Sequence, residues 1–227
     1  MINQNTYLPL EKKIISNKNR FPLFKKDLTE IKKDFKKKNI LVVGAAGSIG
    51  SQFVKDVIKL DINFKKLFLL DKNENQLTEL NRELLLLKRI KINKIKFICS
   101  DLTSFNMDDF LAFNKITHYL NFAAVKHVRS EENIESIHYM IKTNSLNFLP
   151  NKKNFLEKIF SISTDKTVNP QSILGISKDL MEKKLLEFSK KNNIFVSSAR
   201  FANVSFSNGS ILKYAYESLL ANNRFGV

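Results

Sequence analysis

The sequence predicts an α/β protein, a doubly wound parallel sheet with flanking helices. Three observations predict it. Strand-like and helix-like segments alternate roughly every thirty residues, the rhythm of right-handed β–α–β crossovers. The strand-like segments are unbroken aliphatic runs such as Ile40-Leu-Val-Val43, which lack the alternation of a half-exposed strand and so read as buried on both faces. Small and polar residues collect where those runs end, and open α/β sheets keep their ligands at the carboxyl ends of their strands.

Residues 1–38 are polar and basic, with Leu28, Ile31 and Phe35 spaced for one face of a short helix; they read as an N-terminal helical extension to a domain over 39–227. The first strand begins at Asn39 and runs into Gly44, Gly47 and Gly50, after which Phe53, Val54, Val57, Ile58 and Leu60 mark an amphipathic helix. Residues 65–71 read as the second strand, 75–90 as a Leu-rich helix and 94–101 as the third strand, with Cys99 as a buried strand residue. The fourth strand covers 117–124, a helix 135–148 and the fifth strand 157–163. Asn169 and Pro170 then break the backbone, so a helix over 173–191 starts near Ser172. A last strand, 194–200, leads into a loop over 201–210, and a substrate-binding region begins after about 200.

Composition bounds the function. Apolar residues make up 43% and charged residues 26% of 227 positions, ordinary for a globular chain that can bury a full core. No apolar run approaches membrane-spanning length, and the N-terminus lacks a basic flank followed by an apolar core, so neither a membrane segment nor a signal peptide is expected. One cysteine excludes an internal disulfide and fits a reducing cytoplasm. The net charge of +16 comes mostly from lysines spread over every segment, without the clustered Arg and aromatic stripe of a nucleic-acid platform, so nucleic acid is not expected as a partner. His118, His127 and His138 lack metal-type spacing and acidic companions, and no metal is expected.

The glycine spacing G-x-x-G-x-x-G between a buried strand and a helix is that of a loop for a dinucleotide pyrophosphate. Gly44 permits the tight turn, Gly47 lets the backbone N–H groups around Ser48 and Ile49 approach the phosphates, and Gly50 lets the helix sit close on the sheet. Asp71 ends the next strand about twenty residues on, where a carboxylate bonds ribose hydroxyls and repels a 2′-phosphate, favouring NAD over NADP. Lys72 follows immediately and offsets that preference; capping the next helix is a second use for Asp71. Asp101 is placed to meet an adenine amino group or to form a turn, and both readings stay open. The densest chemistry lies at 161–178: Thr164, Asp165 and Lys166 put a hydroxyl, a carboxylate and an ammonium side by side at a strand end, with Lys178 on the helix that follows.

With these motifs assembled, the chain resembles the extended short-chain dehydrogenases/reductases, whose nucleotide site is of the Rossmann type. It is most similar to the UDP-N-acetylglucosamine 4,6-dehydratases and their capsule and polysaccharide-biosynthesis relatives. The resemblance rests on Gly44-Ala-Ala-Gly-Ser-Ile-Gly50, Ala123-Ala-Val-Lys-His-Val128, Lys142-Thr-Asn144, Ser163-Thr-Asp-Lys-Thr-Val-Asn-Pro170 with Gly175-Ile-Ser-Lys178, and Arg200-Phe-Ala-Asn-Val204 with Ser207-Asn-Gly-Ser210. It implies C4 oxidation of a UDP-sugar, loss of water across C5 and C6, and return of hydride to C6. By position it implies Asp165 as the acid for the leaving 6-hydroxyl, Lys166 as the base for the C5 proton, Thr164 on the C4 hydroxyl and Lys178 on the nicotinamide ribose. Leu102, Phe122, Ala123, Ala124, Lys126, Asn144, Ser163 and Val204 join Gly44, Gly47, Ser48, Ile49, Gly50, Asp71, Lys72, Asp101 and Lys178 around NAD. Lys126, His127, Thr164, Asn203, Asn208, Gly209 and Ser210 fall on the UDP-sugar, and a homo-oligomer is implied.

Two departures from the family's pattern stand out. Most short-chain dehydrogenases carry a tyrosine one helical turn before the active-site lysine as the C4-hydroxyl base. Here that position is Leu174, which accepts no proton, so Lys166, Thr164 or a water is expected to relay it; a 4-epimerase, another dehydratase or a silent dinucleotide-binding protein are the competing readings. The family also continues well past the position of Val227, so the sequence reads as a fragment with its substrate domain truncated.

Overall fold

The structure, a computed structural model, describes residues 22–87 and 91–221. Most of the expected N-terminal extension, the end of the Leu-rich helix and the last six residues lie outside the described residues. The chain divides into two compact units, one over Asp34–Asn203 and a smaller one that takes in the described residues before and after it.

The larger unit is a parallel sheet of six strands in the order β3-β2-β1-β4-β5-β6: β1 Asn39–Val43, β2 Lys66–Asp71, β3 Ile95–Cys99, β4 His118–Asn121, β5 Lys158–Thr164 and β6 Phe195–Phe201. Between them run α2 Ser48–Lys59, α3 Glu74–Leu85, α4 Met107–Phe113, α5 Ile134–Ile141 and α6 Ile173–Asn192. A helix α1 (Lys25–Phe35) precedes β1, and α7 (Ile211–Leu220) belongs to the smaller unit. The order makes this a Rossmann-like sheet. Every residue of β1 and β4 is buried, which is why those strands carry no alternation.

The chain winds outward through β2 and β3, then returns to place β4 on the other side of β1. That reversal opens a crevice at the carboxyl ends of β1 and β4, the place such sheets offer a ligand. Leu41, Val43, Phe68, Leu70, Tyr119 and Ile159 knit the strands to Leu111, Phe148 and Met181 in one core. Tyr119 is fully buried, and its hydroxyl donates to Phe148 O at 2.7 Å, so the ring enters the core without an orphaned polar atom.

Several expectations need correction. Cys99 is exposed, because β3 is an edge strand paired only to β2 and its last residues lie at the rim; Sγ lies 3.7 Å from Lys72 O. The helix expected over 135–148 ends as α-helix at Ile141 and continues as a π turn, Lys142–Leu146, that buries Thr143, Asn144 and Ser145. Two helices went unread, α4 and α7. Asn106 caps α4 by accepting from Asp109 N at 3.2 Å, and Ser210 caps α7 by accepting from Lys213 N at 3.3 Å.

Candidate functional site

The crevice begins at the glycine loop. Gly44 has φ +71°, a left-handed conformation, and its N–H and that of Ala45 both donate to Leu70 O, at 2.8 and 3.1 Å. A Cβ on Gly44 would lie 2.5 Å from Ala123 N, so β1 and β4 meet backbone to backbone at the reversal. A Cβ on Gly50 would lie 2.2 Å from Gly44 O, which locks the first turn of α2 under the loop. At Gly47 a Cβ would meet only Gly44 O, at 3.4 Å, and the backbone there is ordinary extended chain. Nothing in the interior requires glycine at 47, whereas a ligand lying on the loop would. Gly47 also gives α2 no side-chain cap, so the amides of its first turn suit an anionic group. These features fit a dinucleotide pyrophosphate.

Asp71 joins the loop to the next strand. Its Oδ2 accepts from Ala46 N at 3.0 Å and its Oδ1 from Asn73 N at 3.0 Å, while Asn73 itself caps α3 through Gln76 N. The helix-cap alternative for Asp71 therefore passes to Asn73. Each Asp71 oxygen keeps a second lone pair for a sugar hydroxyl. Asp101 is held by Thr103, whose N–H and hydroxyl donate to Oδ1 at 2.8 and 2.7 Å, and by Tyr139, whose hydroxyl donates to Oδ2 at 2.6 Å. Partial burial pushes the Asp101 carboxyl up, but those hydrogen bonds outweigh it and hold it below the usual carboxylate range.

At the end of β5, Asp165–Thr167 form a short 3-10 turn that Thr164 caps, its Oγ1 accepting from Lys166 N at 3.4 Å. The Thr164 hydroxyl donates to Asp165 Oδ1 at 3.0 Å, and Lys166 Nζ lies 3.9 Å from the same oxygen. The Asp165 and Lys166 side chains are 55% and 47% exposed at the carboxyl end of β5. Lys178 is the opposite case. It is 2% exposed, its Nζ donating to Ile162 O at 3.1 Å beneath the same strand end.

Glu182, one turn beyond Lys178, was not singled out from the sequence. It accepts from Ser163 Oγ at 2.5 Å and from Arg200 at 3.0 and 2.6 Å, tying β5, α6 and β6 together. The Arg200 fork and the Ser163 hydroxyl hold its carboxyl below the usual range. Glu131, also unread, receives Ile173 N at 3.2 Å and Leu174 N at 3.1 Å, and so caps α6 from a distant 3-10 turn. Leu174 is half-buried at that capped end.

The other wall is the loop after β4, which ends at Asn121 and not at the expected 124. Phe122 and Ala123 are half-buried and Ala124 is exposed; Phe122 stacks between Phe53 and Phe160, at 5.2 and 5.5 Å. Asn144 is fully buried: Oδ1 accepts from Val125 N at 2.9 Å, and Nδ2 donates to Val125 O at 3.0 Å and Ser177 Oγ at 3.1 Å. It thereby fixes the loop that carries the exposed Lys126 and His127, and the π turn is what brings it there. Leu102 is buried in the core. Asn203 ends the larger unit, exposed; Val204, Asn208, Gly209 and Ser210 lie in the smaller one, in a turn where Ser207 N and Oγ donate to Val204 O. Among the described residues no group of three His, Cys, Asp or Glu is placed to hold a metal, and no helix is long and apolar enough to cross a membrane.

Burial drives the Lys178 ammonium down to about 8 from 10.5, against the opposing charge of Glu182. The sign follows directly. Below pH 8 both folded and unfolded chains bind the proton and the buried charge burdens the fold; between 8 and 10.5 only the unfolded chain binds it, so stability rises with pH. In urea unfolding, Lys178→Met is expected to exceed the wild type by about 3 kcal/mol at pH 7 and to lose most of that advantage by pH 10. A pH-independent difference would mean that Lys178 stays charged where it lies.

Residues 40–225 match the family described as polysaccharide biosynthesis protein. Over 203 residues the chain is 34% identical to an uncharacterized membrane protein of Methanocaldococcus jannaschii, covering 84% of this chain and 56% of that protein. Over 197 residues it is 30% identical to the capsular polysaccharide biosynthesis protein CapD of Staphylococcus aureus, covering 82% of this chain and 31% of CapD. The chain thus spans about half or less of these relatives' length. Among solved structures, the UDP-glucuronic acid 4-epimerase of Bacillus cereus in complex with NAD superposes with TM-score 0.63 at 19% identity, over 82% of this chain and 63% of that one, a likeness of fold.

Proposed function

Because the chain belongs to the polysaccharide biosynthesis protein family, we propose that it is an NAD-dependent nucleotide-sugar enzyme, specifically a 4,6-dehydratase of UDP-N-acetylglucosamine or a close relative. The observation that carries the reading is Thr164-Asp165-Lys166 exposed together at the carboxyl end of β5, with Lys178 buried and bonded to Ile162 O of the same strand. NAD, held by Gly44, Gly47, Ser48, Ile49, Gly50 and Asp71, supplies a reversible hydride acceptor.

The chain's residues then divide the proton work. Lys166, as the neutral amine, takes the C5 proton that a 4-keto group acidifies, and Asp165, as the carboxylic acid, gives a proton to the 6-hydroxyl, which departs as water. Thr164 bonds the C4 oxygen, and its hydroxyl passes to a solvent water at the exposed strand end the proton that Leu174 has no group to take. Lys178 is assigned to the nicotinamide ribose by its place on α6, and it reaches a ribose by releasing Ile162 O, to which its buried Nζ donates at 3.1 Å. Lys126 and His127 stand at the mouth toward the sugar diphosphate. We place the protein in surface-glycan synthesis on the cytoplasmic side.

The test is NMR of UDP-N-acetylglucosamine incubated with the protein and NAD. A UDP-linked 4-keto-6-deoxy sugar is expected; unreacted sugar beside bound NAD would defeat the reading. A 4-epimerase is the second reading, favoured by the fold shared with the UDP-glucuronic acid 4-epimerase. An epimerase expels no water and leaves the carboxylate of Asp165 without work, so solvent deuterium at C5 separates the two.

A further inference from the structure

Lys72 follows Asp71 directly, and a free ammonium there would pair with a 2′-phosphate that Asp71 alone repels. The structure shows where that ammonium goes. Lys72 Nζ donates to the Tyr139 hydroxyl at 3.0 Å and lies 4.6 Å from the centre of the ring. The same hydroxyl donates to Asp101 Oδ2 at 2.6 Å, and Thr103 fixes Asp101 from its other oxygen. An ammonium, a phenol and a carboxylate thus form one chain from the end of β2 across α5 to the loop after β3.

We infer that Tyr139 determines the choice between the two dinucleotides: it draws Lys72 toward Asp101, and so leaves Asp71 as the charge that meets the 2′ position of the adenosine ribose. The inference rests on the dinucleotide reading of the crevice. Tyr139 is half-buried on α5 and Lys72 is exposed, so the contact depends on surface side chains and not on the core. Removing the phenol oxygen alone breaks both hydrogen bonds and leaves the ammonium only the ring face, so it is expected to turn toward the 2′ position. Tyrosine at this place had no signature in the sequence, because its partners lie 67 and 38 residues away.

The experiment is calorimetric titration of the 227-residue chain with NAD and with NADP. The wild type is expected to prefer NAD. Tyr139→Phe is expected to tighten NADP by about tenfold, the size of one charge-assisted hydrogen bond, while NAD changes by less than about threefold. The double variant with Lys72→Ala is expected to lose that gain. A folded Tyr139→Phe chain whose ratio is unmoved, or a double variant that keeps the gain in NADP, overturns the inference while the dinucleotide site stands. A wild type that binds neither dinucleotide overturns both.

Discussion

Gly50→Ala is expected to abolish dinucleotide binding and to destabilise the fold by about 3 kcal/mol, the upper end of what an added methyl costs in a packed site. The added Cβ would stand 2.2 Å from Gly44 O and 3.2 Å from Ala45 Cα, and both are backbone atoms that no rotamer change can move. Either α2 lifts from the sheet or the loop turn opens, and Gly44 cannot retreat because Ala123 lies behind it. Gly47→Ala is the informative partner. Its methyl meets only an ordinary contact at 3.4 Å, so its melting temperature is expected within about 2 °C of the wild type, while NAD affinity falls about tenfold. Thermal melts and calorimetry on both variants separate a glycine required by packing from one required by a ligand. If Gly47→Ala binds NAD as the wild type does, the pyrophosphate does not lie on this loop.

The same loop shows why much of the fold was legible. Val43 must end a strand buried on both faces, only a residue free of Cβ can turn under Leu70 O and against Ala123, and only another lets α2 close on Gly44 O, so backbone sterics wrote Gly44 and Gly50 into the sequence. Uninterrupted aliphatic runs located β1 and β2 for a similar reason: two covered faces favour apolar side chains at successive positions. Where one face opens, the signal weakens. Cys99 looked like its buried neighbours because an edge strand has the same composition as a central one over five residues. Met107–Phe113 is too short to display a periodicity, although Asn106 three residues before Asp109 was a readable cap.

The site was legible in its consecutive parts and illegible in its distant ones. Thr164, Asp165 and Lys166 are neighbours in sequence and announce themselves by chemistry. Glu131 reaches α6 from a separate turn, Tyr139 reaches Asp101 from another helix, and Glu182 finds Arg200 only because β5 pairs with β6. Such contacts are made by tertiary packing, and a single sequence carries no period or spacing that records them. Asn144 is the intermediate case: the motif located it, but only the π turn shows that its amide is spent on Val125 and Ser177.

Asp165→Asn and Lys166→Met are expected to stop the proposed reaction at different steps, each by about 10²- to 10⁴-fold in rate, the range for losing a positioned proton donor or acceptor. Lys166→Met removes the group assigned to the C5 proton, so the sugar should neither exchange C5 hydrogen with deuterated solvent nor lose water. Asp165→Asn keeps that base and removes the acid, so C5 should still exchange while the 6-hydroxyl stays in place. The two side chains are 55% and 47% exposed, with a 3.9 Å contact, so both changes should leave stability nearly untouched. NMR of UDP-N-acetylglucosamine in deuterium oxide reads C5 exchange and C6 deoxygenation in one spectrum. Identical losses of both signals in the two variants would show that Asp165 and Lys166 act as a single charge pair that binds the sugar, and the division of acid from base would fall. Loss of neither signal would take the elimination chemistry away from this strand end altogether.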